Sequence, residues 1–351
     1  IRVLLSACMI VRDEEEALPG ALASLRGRVD ELVVVDTGSR DATVAIAEAA
    51  SARVIHVPWQ DDFSHARNEA IAAARGRYCL MVDADDVLDA ASFPAFQGFL
   101  ARDASPLGVV HYISETPEGR VHALIRRVFR NDGSFRYVGR VHEQLVGDGP
   151  TGDSGLVLLH SGYTAQAVHA RDKIGRNLRL LRAELRERGD DSYVHFQLGR
   201  TLFRSGDFVN AAFHYERALA NACLYEPYFS VLVVDFGYTL KALKQVSLAL
   251  ALIDTHRTVL ADCPDLFFLE GILHMESGHA SEMVKAFETC LHIGDTQRYE
   301  SVEGVGSYRA HFNLGLFREL QGQRDRAEMH YRAALRCRAD FAAARLRLAG
   351  L

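Results

Sequence analysis

Tyr78-Cys79-Leu80-Met81-Val82-Asp83-Ala84-Asp85-Asp86 reads as a buried strand that runs straight into a cluster of carboxylates. An unbroken apolar run of this kind is what a strand covered on both faces requires, as in a parallel sheet. Upstream the same pattern recurs. Val3–Val11 is apolar and ends in Arg12-Asp13-Glu14-Glu15-Glu16, and Glu31–Val35 stops at Asp36-Thr37-Gly38-Ser39-Arg40-Asp41. Arg53–Val57 is a third short strand, and Ala17–Arg28, Ala42–Ala52 and Ser64–Arg75 carry helical patterns between the strands. Strand–helix alternation predicts an α/β domain with a parallel sheet. Ligands of such sheets bind beyond the carboxyl ends of the strands. The acidic clusters fall there, after the first, second and fourth strands.

From about Val109 to Tyr163 the pattern turns β-rich, with His111-Tyr112-Ile113, Val128-Phe129-Arg130 and Leu156–Leu159 as short strands; after Lys173 it is helical to the end. Internal repetition explains the helical half. Aligning Gly199, Gly237, Gly271 and Gly315 places Ala211, Ala249, Met283 and Ala327 at one later offset. Tyr215, Ile253, Phe287 and Tyr331 fall at the next, and Ala218, His256, Cys290 and Ala334 at a third. Small and large residues at these offsets let two antiparallel helices pack closely. The spacing resembles tetratricopeptide repeats, with good copies at Ser192–Cys223 and Tyr308–Asp340 and two degenerate ones between. The expected division is a catalytic domain over 1–170, a connecting helix over 171–191 and an all-α solenoid over 192–351.

A chain of 351 residues is long enough for two domains. Its hydrophobic share of 48% and charged share of 25% are those of a globular protein, which argues against wholesale disorder. A formal charge of -6 argues against a protein whose main task is gripping nucleic acid. The cysteines at 8, 79, 223, 263, 290 and 337 form no C-x-x-C pair, so buried reduced thiols are expected. Leu5-Ser6-Ala7-Cys8 superficially resembles a lipoprotein cleavage site, but the apolar stretch before it is short and the residues make a better buried strand. No run has the roughly 18 apolar residues of a membrane span. The expected location is cytoplasmic.

Asp83 and Asp85 offer hard oxygens that suit Mg²⁺ or Mn²⁺. Taken alone, such a cluster is more often a set of solvated loop carboxylates; its place after a buried strand sets it apart. Lys173, Arg176 and Asn177 share one helical face and could close over a diphosphate, with a solvated face as the plainer alternative. Trp59 and Phe63 either wall a sugar pocket or pack in the core.

Four motifs make the reading specific. Val11-Arg12-Asp13-Glu14, Val35-Asp36-Thr37-Gly38-Ser39-Arg40-Asp41-Ala42-Thr43, Trp59-Gln60-Asp61-Asp62-Phe63-Ser64-His65-Ala66-Arg67-Asn68 and Asp83-Ala84-Asp85-Asp86 come in the order and spacing of family 2 glycosyltransferases. The chain resembles the subgroup that carries C-terminal tetratricopeptide repeats and includes peptide S-glycosyltransferases. The resemblance implies a GT-A (Rossmann-like) nucleotide-sugar domain in front of the solenoid. It also implies that Asp36 contacts the nucleobase, usually uracil, that Asp83 and Asp85 contact ribose and metal, and that Ala84 lies at the nucleotide sugar. Val11, Arg12, Glu14, Arg67, Lys173 and Arg176 are then expected around the nucleotide sugar. His160, after Leu156–Leu159, resembles the late histidine that joins Asp83 and Asp85 around Mn²⁺ or Mg²⁺. Asp86 stands where related sequences often carry Glu.

Arg127-Val128-Phe129-Arg130-Asn131, Tyr137-Val138-Gly139-Arg140-Val141-His142-Glu143 and His160-Ser161-Gly162-Tyr163 extend the resemblance. An inverting transfer needs a base on the acceptor side. Glu143 is preferred and His142 is the other candidate; the plain alternative is that Glu143 only salt-bridges Arg140 or Arg127.

The expected partners are a UDP-sugar donor and a peptide, protein or glycan acceptor, with the repeats as its docking surface. Oligomeric state stays open, a homodimer included. Two other readings stand beside this one. The first is a repeat scaffold with a degenerate transferase half; the second is the same enzyme class acting on a sugar, lipid-linked glycan or small metabolite. No phosphate-loop motif occurs at a strand–helix junction.

Overall fold

The computed structural model describes residues 4–116, 119–160 and 167–351, with backbone alone over 167–172. Ser161-Gly162-Tyr163 of the last motif lie outside the described residues. The chain forms two compact units, Ile1–Pro117 with Ala123–Arg188, and Glu118–His122 with Gly189–Leu351.

In the first unit β1 (Leu5–Val11), α1 (Leu18–Leu25), β2 (Glu31–Asp36), α2 (Thr43–Ala49), β3 (Arg53–His56), α3 (Phe63–Ala73) and β4 (Tyr78–Met81) follow one another as the alternation predicts. Next come β5 (Asp86–Leu88), α4 (Phe93–Arg102), β6 (Leu107–Thr116), β7 (Gly119–Arg130), β8 (Arg136–Val138), β9 (Gln144–Val146), β10 (Thr151–His160) and α5 (Ala167–Arg188). The main sheet runs β3-β2-β1-β4-β7-β6-β10-β5, and β8 pairs with β9 apart from it. β3, β2, β1 and β4 are mutually parallel, and β7 is the first antiparallel neighbour.

Alternation along β1 explains why its whole sequence is apolar. Leu5, Ala7, Met9 and Val11 face a core completed by Leu18, Ala21, Leu22 and Leu25 of α1. Cys8 faces the opposite core with Ala66 and Ala70 of α3. A strand sandwiched between two helical layers has no solvent face to supply polar residues. The α3 helix starts where Asp62 caps it, accepting from the His65 N–H at 3.0 Å. The expected buried thiols hold for Cys8, Cys79, Cys263 and Cys290, whereas Cys223 and Cys337 are exposed. Among the described residues no helix is long and apolar enough to cross a membrane.

The second unit is built from helix pairs: α6 (Ser192–Arg204) with α7 (Phe208–Asn221), α8 (Phe229–Ala242) with α9 (Val246–His256), α10 (Pro264–Glu276) with α11 (Ala280–Ile293), and α12 (Tyr308–Leu320) with α13 (Arg324–Cys337). The last helix is α14 (Ala342–Gly350). The aligned repeat positions are buried except His256, as the sequence offsets require. Gly199, Gly271 and Gly315 sit against Tyr215, Phe287 and Tyr331 so closely that a Cβ would lie 2.7, 2.7 and 2.6 Å from the rings. At Gly237 the close neighbour is Leu269 of α10 instead, which marks that copy as degenerate.

Between the third and fourth pairs the chain forms β11 (Ser301–Val302), which pairs with His122 and Val121. Asp265 holds this strand, accepting from Ser301 Oγ at 2.5 Å and from the Val302 N–H at 3.0 Å. Arg200 lies between Asp235 and Glu300, at 3.2 and 2.7 Å.

Candidate active site

Register brings the acidic loops together. Val11, the last residue of β1, pairs with Asp36, the last of β2, and Cys8 pairs with Met81 of β4. The loops after these strands therefore open at the same edge. They are stitched to one another: the Arg40 N–H donates to Asp13 at 2.7 Å, and the Glu14 N–H donates to Thr43 Oγ1 at 2.7 Å. Asp36 is buried. It accepts from the Ser39 and Gly38 N–H groups at 3.0 and 3.3 Å and meets His56 Nδ1 at 3.2 Å. Burial would raise its pKa, but the hydrogen bonds from Ser39, His56 and Gly38 hold it below the usual carboxylate range.

Glu14 behaves in the opposite way. Burial first, then the nearby Asp85 charge, pushes its carboxyl up to about 7; Lys173 works against the shift, and Asp83 and Asp41 add to it. Burial and the neighbouring carboxylates thus disfavour its charged form together, and a cation among them would favour it.

Asp83 is caged by two arginines. Arg67 Nη2, from α3, donates to Oδ1 at 2.8 Å, and Arg127 Nη2, from β7, donates to Oδ2 at 2.8 Å. Burial alone would raise the Asp83 pKa; Arg127 and Arg67 override it and keep the group ionised far below the usual range. Arg67 also donates through Nε to Glu143. Arg67 Nη1, Arg127 Nη1 and the Tyr137 hydroxyl are buried and have no hydrogen-bond partner. Buried donors are normally satisfied, so this region asks for an acceptor oxygen that the described residues do not supply.

Next to this cage Asp85, Asp86 and His160 bring ligand atoms within 4.8 Å of one another. His160 Nδ1 lies 2.9 Å from Asp86 and 3.4 Å from Asp85. Two carboxylates and an imidazole suit Mn²⁺ or Mg²⁺. Of the three residues expected to share the metal, Asp85 and His160 are in this group, while Asp83 has both oxygens on arginines.

On the other side of Arg67, Glu143 is almost buried and His142 takes a positive φ of 53°. Glu143 does salt-bridge an arginine, but that arginine is Arg67; Arg140 pairs with Glu187 and Arg127 with Asp83. His142 Nε2 lies 3.4 Å from Asn177 Nδ2 of α5. Arg176 stands over the Phe63 ring at 5.0 Å, with Arg12, Glu14 and Glu143 among the charges it feels. Lys173 and Arg12 are exposed, Val11 and Ala84 buried. Trp59 and Phe63 make an edge-on pair at 4.7 Å and are only half-buried, so neither is a core residue.

Residues 6–149 match the family described as Glycosyl transferase family 2. The chain carries a family 2 glycosyl transferase domain. The family 2 domain thus coincides with the loops, the arginine cage and the Glu143 segment, and it bears out the resemblance read from the motifs. A TPR repeat-containing protein of Synechococcus elongatus is 38% identical over 223 residues, 59% of this chain and 54% of that one. The SPbeta prophage-derived glycosyltransferase SunS of Bacillus subtilis is 27% identical over 206 residues, 55% of this chain and 48% of that one. The lipopolysaccharide core biosynthesis glycosyltransferase LpsC of Rhizobium meliloti is 29% identical over 164 residues, 43% of this chain and 60% of that one. The chain spans about half the length of the first two relatives.

Sequence reasoning on the family 2 domain missed two participants. Tyr112, whose hydroxyl donates to Asp86 at 2.7 Å, was visible only as part of a short strand. Arg127 was weighed only as a salt-bridge partner for Glu143, whereas the structure puts it on Asp83; an arginine at the head of the apolar Val128-Phe129 pair is a signal worth following.

Proposed function

We propose that the chain is an inverting glycosyltransferase that moves a sugar from a UDP-linked donor to the nucleophile of a peptide, protein side chain or glycan. The observation that carries this reading is a cation-suited group, Asp85, Asp86 and His160, beside two arginines with buried unpaired N–H atoms.

Mn²⁺ or Mg²⁺ held by Asp85 and His160 would neutralise charge on the departing diphosphate. Asp36 and the Val11-Arg12-Asp13-Glu14 loop hold the base and ribose. Asp83, kept ionised by Arg67 and Arg127, retains acceptor capacity for ribose hydroxyls, since a carboxylate offers about four lone-pair sites. Ala84 keeps the loop small where the nucleotide lies against it. Lys173 and Arg176 bring positive charge from α5 to the diphosphate. On the acceptor side Glu143 takes the proton as the acceptor bonds to the anomeric carbon and the bond to UDP breaks; His142 is the other candidate base. Acceptor capture is assigned to the repeat unit, because stacked helix pairs offer extended peptide-binding surfaces.

Calorimetric titration with UDP, with and without Mn²⁺, tests the donor site, and NMR of the product linkage tests the stereochemistry. Tightening by Mn²⁺ and an inverted anomeric centre are expected. Retention overturns the inverting mechanism. Absence of both UDP binding and turnover returns the chain to a repeat scaffold with a degenerate transferase half. For the base, Glu143→Gln should lower transfer by about 10²–10⁴-fold with UDP affinity largely kept; the same pattern in His142→Ala instead reassigns the role.

A further inference from the structure

Asp86 is fully buried, and its polar partners come from β10, β6 and the turn just before β5. β5 and β10 are antiparallel, and Asp86 is the register partner of His160. Directly opposed residues of an antiparallel pair put their side chains on the same face. Tyr112 comes from β6, the parallel neighbour of β10. Asp86 Oδ1 accepts from the Tyr112 hydroxyl at 2.7 Å and faces His160 Nδ1 at 2.9 Å. Its Oδ2 accepts from the Asp83 N–H at 2.9 Å. The Tyr112 and His160 rings lie 5.3 Å apart at 32°, so the phenol also packs along the imidazole.

A fully buried carboxylate that already takes two donors and faces an imidazole has less capacity left for a cation than Asp85 beside it. It is well placed to set a histidine. An ionised carboxylate only accepts, so the His160 nitrogen that faces Asp86 at 2.9 Å and Asp85 at 3.4 Å carries a proton, and in the neutral imidazole the opposite nitrogen, Nε2, keeps its lone pair. Hydrogen bonds of this kind commonly fix the tautomer and orientation of ligating histidines.

We infer that Asp86, with Tyr112, is a positioning residue that locks His160 in the Nδ1–H tautomer, leaving Nε2 as its ligand atom, while Asp85 is the carboxylate ligand. This deepens the metal-dependent reading above and rests on it only for the last step. The tautomer belongs to the protein without metal.

Two measurements separate the possibilities. NMR of ¹⁵N-histidine-labelled, metal-free protein should show His160 with Nδ1 protonated and Nε2 bare; the reverse tautomer overturns the inference whatever the metal does. Mn²⁺ affinity then forms a double-mutant cycle. Asp86→Asn and His160→Ala should each weaken binding by about 10–100-fold, and the double variant should be no weaker than His160→Ala alone. Multiplying losses would make Asp86 a ligand in its own right, and an unchanged affinity in Asp86→Asn would deny it any role; both contradict the inference. Tyr112→Phe removes one hydrogen bond without a change of shape, so it carries the test if Asp86→Asn fails to fold. Its expected effect is a smaller weakening of Mn²⁺ binding that also vanishes in the His160→Ala background. Wild-type protein that has the Nδ1–H tautomer but binds no Mn²⁺ sinks the metal-dependent reading and leaves the Asp86–His160 arrangement standing.

Discussion

Arg67 joins Asp83 to Glu143: one guanidinium donates through Nη2 to the first and through Nε to the second. The two carboxylates come from different ends of the domain, the loop after β4 and the segment between β8 and β9. Arg67 thereby couples the proposed nucleotide side of the site to the proposed acceptor side.

Removing that link should cost stability as well as activity. Arg67→Ala leaves Glu143 without its guanidinium and Asp83 with Arg127 alone, and breaking a buried pair in this way costs about 3–5 kcal/mol. Urea denaturation measures it. A loss below about 1 kcal/mol would mean that solvent replaces the arginine, as at an exposed pair. Arg67→Lys should recover little, since an ammonium lacks the planar fork that spans both partners.

Glu14 makes metal-free stability depend on pH. Its carboxyl titrates at about 7 in the folded protein, raised first by burial and then by Asp85, against about 4.3 when free. The folded state therefore binds this proton more tightly than the unfolded chain. Glu14 accordingly lowers stability as pH rises from about 4.3 to about 7. The urea midpoint of Glu14→Gln, measured in chelator, should pull ahead of wild type between pH 5 and pH 8. A gap that narrows over that range contradicts the assignment.

Gly199→Ala and Gly315→Ala should destabilise the repeats although alanine is the better helix former. The propensity gain is about 1 kcal/mol. Against it stands a Cβ placed 2.7 Å from the buried Tyr215 ring or 2.6 Å from that of Tyr331, and overpacking of this sort costs about 1–3 kcal/mol. Packing wins or at worst balances. Gly278→Ala is no control, because its φ of 74° is itself glycine's territory; Gly175, with nothing within 4 Å of an added Cβ, is the proper one.

Asp265→Ala should free β11. The Val302 amide loses its carboxylate acceptor, and a hydrogen bond to a charged group contributes about 1.5–3 kcal/mol. Hydrogen exchange at Val302 should accelerate by roughly 10–150-fold, while the amides of α6 and α7 stay protected. Unchanged exchange would show that pairing with Val121 holds the strand alone.

Much of this architecture was legible in the residues. Apolar runs ending in carboxylates announced β1, β2 and β4, because a strand covered on both faces has no other way to be written. The repeat offsets announced the helix pairs, because Gly199 and Tyr215 must fit together as small against large. What was not legible depends on register between distant segments. Asp83 looked like a metal ligand until β7 brought Arg127 beside it. Asp86 read only as a departure from the Glu that related sequences often carry, since a three-residue strand leaves no periodicity to read, and only the ladder with β10 gives it His160 as a partner. The pairing of Val121 and His122 with Ser301–Val302 is invisible for the same reason: a two-residue strand has no pattern of its own.

We propose that a nucleotide sugar is cleaved at this sheet edge with the help of a divalent ion. Release of UDP from a panel of UDP-sugars, followed with Mn²⁺ and again with chelator, tests it most directly. Turnover with at least one donor is expected, and it should be lost in chelator and in Asp85→Ala. Turnover that survives both treatments, or none from any donor with Mn²⁺ present, would contradict it.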